Sequence, residues 1–335
     1  MCLTNFFKRK PRYSFTGALP DTRTLKEKEK DYLQKEVLAF ASPVEWKEKS
    51  QWRTFPVLNQ GQQNSCVANT MAKLLGVMYF LRDGQYLDFS RSDIYRRRVN
   101  KPGAGMVGND AFQIAQEGVT LNSLLQSDQP SDAGIDALVV EKFKSEIGSV
   151  LKINNYLTIQ SGDFETVAST IQATGKAVMV WFYFTANEWS QKFPKIIDAN
   201  LSSSNGLRHS VTAVDFGLIN GKKYIKIEDS AHFGGINERW ISEDFFKARN
   251  FYAAYALNFR FDTPITKPKY ISDNVVSLQD CLKAELLFPI SVDSTGYFGS
   301  ITKNAVIAFQ VKYGLNPPLG NVGSLTKAKL HELYP

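Results

Sequence analysis

The sequence predicts an α+β fold with its helices and strands in separate halves, followed by a small three-helix domain. Up to about residue 175 the apolar spacing is mainly that of helices, whereas strand patterns dominate between residues 177 and 259. Residues 263–271 form a linker that contains Pro and Lys, and three short helical patterns follow it. Helices and strands that do not alternate along the chain argue against a doubly wound parallel sheet.

The elements can be placed by their periodicity and their ends. The predicted helices of the first half are 66–81, 93–99, 110–116 and 164–173, the last of them closed by Gly175 as a C-cap. The predicted strands are 177–184, 210–216, 223–227 and 251–259. The C-terminal helices are 275–287, 301–313 and 325–333. Two of these follow a repeated Gly-Ser-x-Thr-Lys sequence, at Gly299 and Gly323, whose Ser or Thr is expected to cap the helix. The repeat predicts that this domain contains an internal half-repeat.

Composition limits the classes of function. A chain of 335 residues that is 43% hydrophobic can bury more than one core. The formal net charge of +7 favours anionic partners such as an acidic cell wall. No dense basic stripe with interleaved aromatic residues is present, so we expect no nucleic-acid partner. Three distant cysteines and three histidines predict neither a disulfide framework nor a metal site, and we expect a monomer without metal or cofactor.

Residues 1–41 are predicted to form an N-terminal arm. Its segment 24–40 has the pattern of a charged amphipathic helix, which fits either a docking helix or an inhibitory prosegment. The first residues have a short apolar start followed by a basic cluster, the reverse of a secretory signal, and no apolar run is long enough to span a bilayer. We therefore expect synthesis in a cytoplasm and no membrane span.

One cysteine lies where a thiol would be reactive. Cys66 stands between a polar turn and an apolar-periodic helix, and the partial positive charge of a helix N-terminus favours the thiolate. Gln60, six residues upstream, carries an amide that can donate to an oxyanion. His209 begins one strand and Asp229 follows the next. If the strands form a hairpin, Asp229 can bond one ring nitrogen and the other can face Cys66. The alternative is a buried, inert cysteine and a structural histidine.

Four short blocks resemble the papain-like cysteine peptidases, mainly their shorter bacterial, archaeal and viral members. They are Val44-Glu-Trp-Lys47, Gln60-Gly-x-x-x-Ser-Cys66, His209-Ser-Val-x-Ala-Val-x-x-Gly217 and Tyr224-Ile-x-Ile-x-Asp-Ser230. The resemblance covers about residues 14–262. It implies a two-lobed fold, with a helical lobe and a β-barrel-like lobe, in a peptidase domain at residues 42–262.

The resemblance also implies a role for particular residues. Cys66 would be the nucleophile, His209 the general acid and Asp229 the residue that orients the imidazole. Gln60 and the backbone N–H of Cys66 would hold the oxyanion. The loop 103–108 resembles the glycine-rich wall that binds the substrate backbone, so Gly105 and Met106 are candidate substrate-binding residues. Arg208 would line the specificity pocket and favour an acidic or polar side chain.

The sequence departs from the family pattern at several places near the site. Asp229 stands where the family usually has Asn, and Val67 replaces the Trp that usually follows the nucleophile. Gln63 occupies the place of a disulfide cysteine. The Trp after the third block is absent, which leaves His232 or Phe233 to shield the His–Asp pair. None of these changes removes a catalytic atom, so we expect an active enzyme.

Residues 272–335 resemble the peptidoglycan-binding domain of cell-wall hydrolases. The resemblance rests on Phe298-Gly-x-x-Thr302 and Phe309-Gln310, while Cys281 has the spacing of a core residue. Together the two parts predict a peptidase that acts on proteins or stem peptides at the bacterial wall, as a phage lytic or virion-associated enzyme or as a bacterial enzyme. One alternative is a catalytically silent peptidoglycan-binding or structural protein. Another is a Cys–His amidase of the wall, against which the position of Gln60 argues.

Overall fold

The computed structural model describes residues 17–23, 43–49, 55–140, 151–153, 155–257, 273–289, 291–292 and 294–334. The predicted arm helix at 24–40 and the linker at 263–271 lie outside these residues. Among the described residues, no helix is long and apolar enough to cross a membrane.

The helical lobe is built around one long helix, α1 (Cys66–Asp83). Its apolar side chains are buried around most of its circumference, and Gly84 ends it in the left-handed conformation, with φ of 73°. Three shorter helices belong to this lobe, α2 (Arg91–Arg96), α3 (Gly108–Glu117) and α4 (Asp132–Asp136). A helix enclosed in this way holds its first residue in a fixed place.

The second lobe is a six-stranded antiparallel sheet in the order β3–β8–β4–β5–β6–β7. Its strands are β3 (Asn155–Ile159), β4 (Val178–Phe184), β5 (Leu207–Ile219), β6 (Lys222–Glu228), β7 (Glu238–Ser242) and β8 (Asn250–Leu257). The helices of this part of the chain are α5 (Phe164–Thr174), α6 (Ala186–Trp189) and α7 (Glu243–Arg249). A separate parallel pair joins β1 (Ala18–Leu19) to β2 (Met106–Val107).

Strand β4 shows how the sheet divides two apolar cores. Met179 and Trp181 pack with the helical lobe, whereas Val180 and Phe182 pack on the opposite face. Since side chains alternate across a strand, one fully apolar strand serves both cores. The predicted α+β class and two-lobed architecture are confirmed, and each predicted element within the described residues is present. The strands β3 and β7 and the β1–β2 pair were not predicted.

The C-terminal helices are α8 (Asp273–Ala284), α9 (Ser300–Lys312) and α10 (Ser324–Leu333). The predicted Ser or Thr caps are wrong: the N-cap residues of α9 and α10 are Gly299 and Gly323, and neither helix has a side-chain cap. The threonine of each repeat instead accepts a hydrogen bond from a buried glutamine. Gln279 donates to Thr302 Oγ1 at 2.9 Å, and Gln310 donates to the hydroxyl of Thr326 at 2.9 Å.

The half-repeat is also seen in the loops around these two glutamines. Gln279 donates to the carbonyl of Tyr297 and accepts from the N–H of Gly296. Gln310 makes the matching bonds to the carbonyl of Asn321 and the N–H of Gly320. Each glutamine therefore organises one loop.

The C-terminal helices are docked on the sheet lobe. Lys176, between α5 and β4, forms an ion pair of 2.8 Å with Asp280 of α8, and both side chains are buried. Asp280 also accepts from the Ser294 hydroxyl at 2.6 Å. The apolar residues Val275 and Leu278 of α8 belong to the same buried cluster as the outer face of the sheet. These polar and apolar contacts together fix the orientation of α8 relative to the sheet lobe.

A buried ion pair joins the two lobes near the site. Lys73 of α1 lies 2.8 Å from Glu228 of β6, and both side chains are less than 5% exposed. Lys73 also donates to the Pro56 carbonyl at 2.8 Å. Burial raises the pKa of Glu228 to about 7 although Lys73 opposes this rise. The pair connects the helix that begins at Cys66 to the strand that leads to Asp229.

Replacing Lys73 with Met is expected to lower the free energy of unfolding by about 3 kcal/mol at pH 8, because it leaves the Glu228 carboxylate buried without its ion-pair partner. Urea denaturation measures this loss. The control is Lys223→Met, which breaks a half-exposed pair with Glu165 and should cost less than about 1 kcal/mol. An equal decrease in the free energy of unfolding in the two variants would show that the buried Lys73–Glu228 pair matters no more to stability than the half-exposed pair.

Candidate active site

Cys66 is the first residue of α1, as the sequence predicts, and its side chain is 1% exposed. Ser65 precedes it but makes no side-chain cap: its hydroxyl donates to Gln63 Oε1 and accepts from the side-chain amide of Asn69, each at 3.0 Å. The N–H groups of the first turn are therefore not neutralised by Ser65. Their partial positive charge favours a negative charge on the sulfur.

Hydrogen bonds fix the loop before Cys66 where the family usually has a disulfide. The Gln63 amide donates to the carbonyl of Gln129, across to the loop that precedes α4. Asn64 binds Asp132 twice, through its N–H at 2.9 Å and its side-chain amide at 2.8 Å. These contacts connect the same loop to α4 without a covalent bond.

The strands β5 and β6 are antiparallel neighbours, which meets the condition set in the sequence analysis, and they bring His209 beside Asp229. The distance from His209 Nε2 to Asp229 Oδ1 is 2.7 Å, and both side chains are fully buried. His209 also interacts with the Cys66 thiol. The structure thus brings Cys66, His209 and Asp229 into one chain of contacts in the predicted order.

The charges in this chain of contacts stabilise one another. Burial alone lowers the pKa of His209, but the charge and hydrogen bond of Asp229, together with Cys66, outweigh this effect and raise it from 6.5 to about 9. Burial raises the pKa of Asp229, yet His209, Arg239 and the N–H of Ala231 hold it well below its usual range. The imidazolium and the carboxylate are therefore the favoured forms at neutral pH.

The raised pKa of His209 predicts a pH dependence of stability. Since the folded-state pKa is above the ordinary value, the stabilisation is complete below pH 6.5 and is lost as the pH rises through 9. The free energy of unfolding should fall by about 3 kcal/mol across this window, at about 1.4 kcal/mol per pKa unit. Denaturation at pH 6 and pH 9.5 measures it. In His209→Gln the fall should be smaller, and an equal fall in both proteins would assign it to other groups.

Gln60 is fixed between the two lobes. Its backbone N–H donates to the Ser230 carbonyl at 2.9 Å, and its Oε1 accepts from the Ser230 hydroxyl at 2.8 Å. Its Nε2 donates to the Gln63 carbonyl at 2.8 Å, which uses one of its two N–H bonds. The amide is thus held in the loop before Cys66, where the sequence predicts an oxyanion donor.

The predicted substrate-binding wall is covered by the chain's own N-terminal segment. The N–H of Met106 donates to the Gly17 carbonyl at 2.8 Å, and β1 pairs in parallel with β2. The N–H of Gly105 donates to the hydroxyl oxygen of Tyr95 at 2.9 Å. A Cβ at Gly17 would lie 2.5 Å from Cys66 Sγ, so the segment passes directly over the thiol. Residues 17–23 are here named the cleft segment, and its first three residues occupy the cleft beside the thiol and β2.

Arg208 lies on β5 directly before His209, opposite Tyr183 of β4. Side chains alternate along a strand, so Arg208 shares a face with Ser210. The Ser210 hydroxyl donates to Thr70 of α1 at 2.9 Å, which shows that this face is turned toward the helical lobe. The pocket role of Arg208 remains a prediction.

Two residues near the site were not predicted. Trp189 of α6 donates from Nε1 to Asp229 Oδ2 at 2.8 Å, and its indole ring lies edge-on to the His209 ring. Trp189 thus covers the His209–Asp229 pair, which the sequence analysis expected His232 or Phe233 to shield, and the His232 ring contacts the Leu58 carbonyl. Arg239 of β7 forms a fully buried ion pair with Asp229.

A signal for Arg239 exists in the sequence. Arg239 and Ile241 are two residues apart, so a charged residue stands on the apolar face of a strand, which indicates a buried ion pair. Trp189 has no comparable local signal. Within the described residues, no group of three or more His, Cys, Asp or Glu side chains could hold a metal ion.

Comparison with known proteins gives two family matches. Residues 40–249 match the family described as papain family cysteine protease, and residues 272–330 match a putative peptidoglycan binding domain. No curated protein matches the chain.

The fold is similar to solved cysteine proteases. Xylellain from Xylella fastidiosa has a TM-score of 0.56 and 18% identity, with 75% of this chain and 99% of that chain covered. The ragweed pollen allergen Amb a 11, a cysteine protease solved in its proform, has a TM-score of 0.53 and 15% identity, with coverage of 75% and 69%. At these identities the likeness shows the fold alone.

Proposed function

The chain belongs to the papain family of cysteine proteases, and from this premise we propose that it hydrolyses peptide bonds at the bacterial cell wall through Cys66, His209 and Asp229. The observation that carries the proposal is the buried His209, which bonds Asp229 and interacts with a cysteine at the N-terminus of a helix. This arrangement supplies a thiolate and a proton donor side by side.

The reaction follows from these positions. The Cys66 thiolate attacks the substrate carbonyl, and the resulting oxyanion is held by the Cys66 backbone N–H and the Gln60 amide, where one such donor is worth about 3 kcal/mol of barrier. His209 then gives its proton to the leaving amine, and the C–N bond breaks to leave a thioester. Water then attacks the thioester as His209 takes its proton, the C–S bond breaks, and the Cys66 thiolate and the His209 imidazolium are restored. Asp229 keeps the imidazole in place throughout.

The second part of the proposal concerns where the enzyme acts. The C-terminal helices match a peptidoglycan-binding family, and the net charge of +7 favours an acidic polymer. These features support a protein or stem-peptide substrate held at the wall. They suit a phage lytic or virion-associated enzyme as well as a bacterial wall enzyme.

We also propose that the cleft segment is inhibitory, which favours the prosegment interpretation of the arm over the docking one. Gly17 lies against the Cys66 sulfur, and its carbonyl takes the N–H of Met106 that a substrate backbone would use. The strand β1 also approaches β5, which carries His209. A segment that touches both walls of the cleft excludes substrate.

Casein and purified sacculi, digested in parallel with and without an epoxysuccinyl thiol reagent, test the proposed function. We expect cleavage that the reagent abolishes, and cleavage of sacculi with casein untouched would place the substrate in the wall. A protein that binds sacculi, cleaves neither substrate and does not react at Cys66 would instead be the silent wall-binding protein. The intact contacts of Cys66, His209 and Asp229 argue against that alternative.

A further inference from the structure

The carboxylate of Asp229 is fully buried and uses all of its acceptor capacity. Oδ1 accepts from His209 Nε2 at 2.7 Å and from the N–H of Ala231 at 2.8 Å. Oδ2 accepts from Trp189 Nε1 at 2.8 Å and from Arg239 Nη1. An isolated buried carboxylate would be strongly destabilising, and here it stands at a position where the family usually has a neutral amide. The negative charge therefore requires a compensating group.

Arg239 is that group, and its own position is tightly fixed. Its side chain is fully buried, and its guanidinium lies over the ring of Trp189, 4.9 Å from the ring centroid. Nε donates to the Trp189 carbonyl at 3.0 Å, Nη1 to that of Ile236 at 3.1 Å and Nη2 to that of Phe233 at 2.9 Å. Three carbonyls and one indole ring thus aim a permanent cation at Oδ2.

Six other charged side chains near the site are paired with one another. The elements that pack around Asp229 contribute three buried or half-buried ion pairs, Lys73–Glu228, Arg249–Glu188 and Lys226–Glu238. Among the described residues, the other titratable groups around the pair include the Cys66 thiol on α1, His209 and the adjacent Arg208 on β5, and His232, whose ring contacts the Leu58 carbonyl. Arg239 is therefore the permanent cation that contacts Asp229, on the oxygen opposite the one that bonds the His209 imidazolium.

We propose that Arg239 is a positioning residue of the catalytic site, which offsets part of the charge of Asp229 and locks Oδ2 so that Oδ1 holds His209. The Asp229–Arg239 pair then gives His209 an oriented hydrogen-bond acceptor, and the formal charges of the two side chains sum to zero. In most of the family the side-chain amide of one Asn has both properties. This inference rests on the proposed function, because it assumes that Cys66 and His209 act as the nucleophile and its proton donor.

The proposal makes opposite predictions for its two partners. Arg239→Met leaves Asp229 uncompensated, which favours the imidazolium and should shift the pH profile of Cys66 reactivity upward by about one pH unit. Asp229→Asn leaves the cation uncompensated, which disfavours the imidazolium and should shift the profile downward by about the same amount. The double variant removes both charges and should return the profile to near that of the unmodified protein. Arg239→Lys keeps the charge and should leave the profile in place.

The experiment measures the rate of alkylation of Cys66 by iodoacetamide between pH 3 and 10 in the full chain, with mass spectrometry to assign the site and circular dichroism to verify folding. A merely structural Arg239 would slow alkylation or lower the melting temperature in all variants without opposite shifts, and that result would overturn the proposal. If Arg239→Met does not fold, Asp229→Asn is compared with the double variant. The same pH profile in these two variants would overturn the inference, whereas a double variant whose profile returns to that of the unmodified protein would support it.

Failure of the proposed function would look different. The unmodified protein would then show a single titration of an ordinary thiol near pH 8.5. That profile would show that Cys66 and His209 do not form a thiolate–imidazolium pair, and the inference about Arg239 would then fail as well. A low-pH rise in the unmodified protein together with unshifted variants would leave the proposed function intact and overturn only the role of Arg239.

Discussion

Replacement of Cys66 by alanine is expected to abolish peptide hydrolysis, with a loss of about 10⁴-fold or more, while the fold stays intact. The sulfur is the atom that attacks the carbonyl in the proposed mechanism, and its proton donor His209 interacts with it directly. Alanine removes only this atom from the first residue of a helix and is itself a good helix former. The initial rate of casein or sacculus cleavage measures the loss.

The matched control is Cys281→Ala. Cys281 is also fully buried, but it lies in α8, and burial raises the pKa of its thiol well above the usual value. A thiol of this kind is inert, so the variant should keep its activity and its labelling by the epoxysuccinyl reagent. Activity that survives in Cys66→Ala, or labelling that disappears in Cys281→Ala, would contradict the assignment of the nucleophile.

Replacement of Gly17 by valine is expected to raise turnover by about a hundred-fold, because the side chain would force the cleft segment off the thiol. The Cβ alone would stand 2.5 Å from Cys66 Sγ and 2.6 Å from the Asn64 carbonyl, which is closer than such atoms approach. A segment on a short tether has an effective concentration in the millimolar range, so displacement of even a weakly bound segment has a large effect. The kcat/KM for a peptide substrate is the measurement.

Two comparisons make this result specific. Deletion of residues 1–23 should raise turnover in the same direction, whereas Pro20→Ala, at an exposed position of the same segment, should leave the rate near that of the unmodified protein. An unchanged rate in both Gly17→Val and the deletion would make the arm a docking element, as in the alternative interpretation of the sequence. A fall in melting temperature without a gain in rate would support the same conclusion.

The parts of the site that could be predicted are those with local signals. Cys66 begins a helix whose polar entry and apolar spacing are both visible in a short stretch of sequence. His209 and Asp229 meet because two consecutive strands form a hairpin, the simplest connection between antiparallel strands. In each of these cases the contact depends on residues close in sequence or on neighbouring elements.

The parts that could not be predicted depend on distant contacts. Trp189 reaches Asp229 from a four-residue helix, 40 positions away in the sequence. The cleft segment pairs with β2 through only two residues, too few for a strand pattern. The predicted Ser or Thr caps of the C-terminal helices were wrong because Gly299 and Gly323 hold the N-cap positions. The threonines accept hydrogen bonds from buried glutamines, a use that the Gly-Ser-x-Thr-Lys repeat does not reveal.

The docking of α8 on the sheet lobe has a consequence for the reach of the enzyme. The buried contact between Lys176 and Asp280 ties the C-terminal helices to the same sheet that carries His209. While these helices are bound to a surface, the cleft stays at one distance from that surface and in one orientation. An enzyme joined to its binding domain by a flexible linker would not be held in this way. The bonds available to it are then those at a fixed offset from each anchoring point, and reaching further bonds requires release and rebinding.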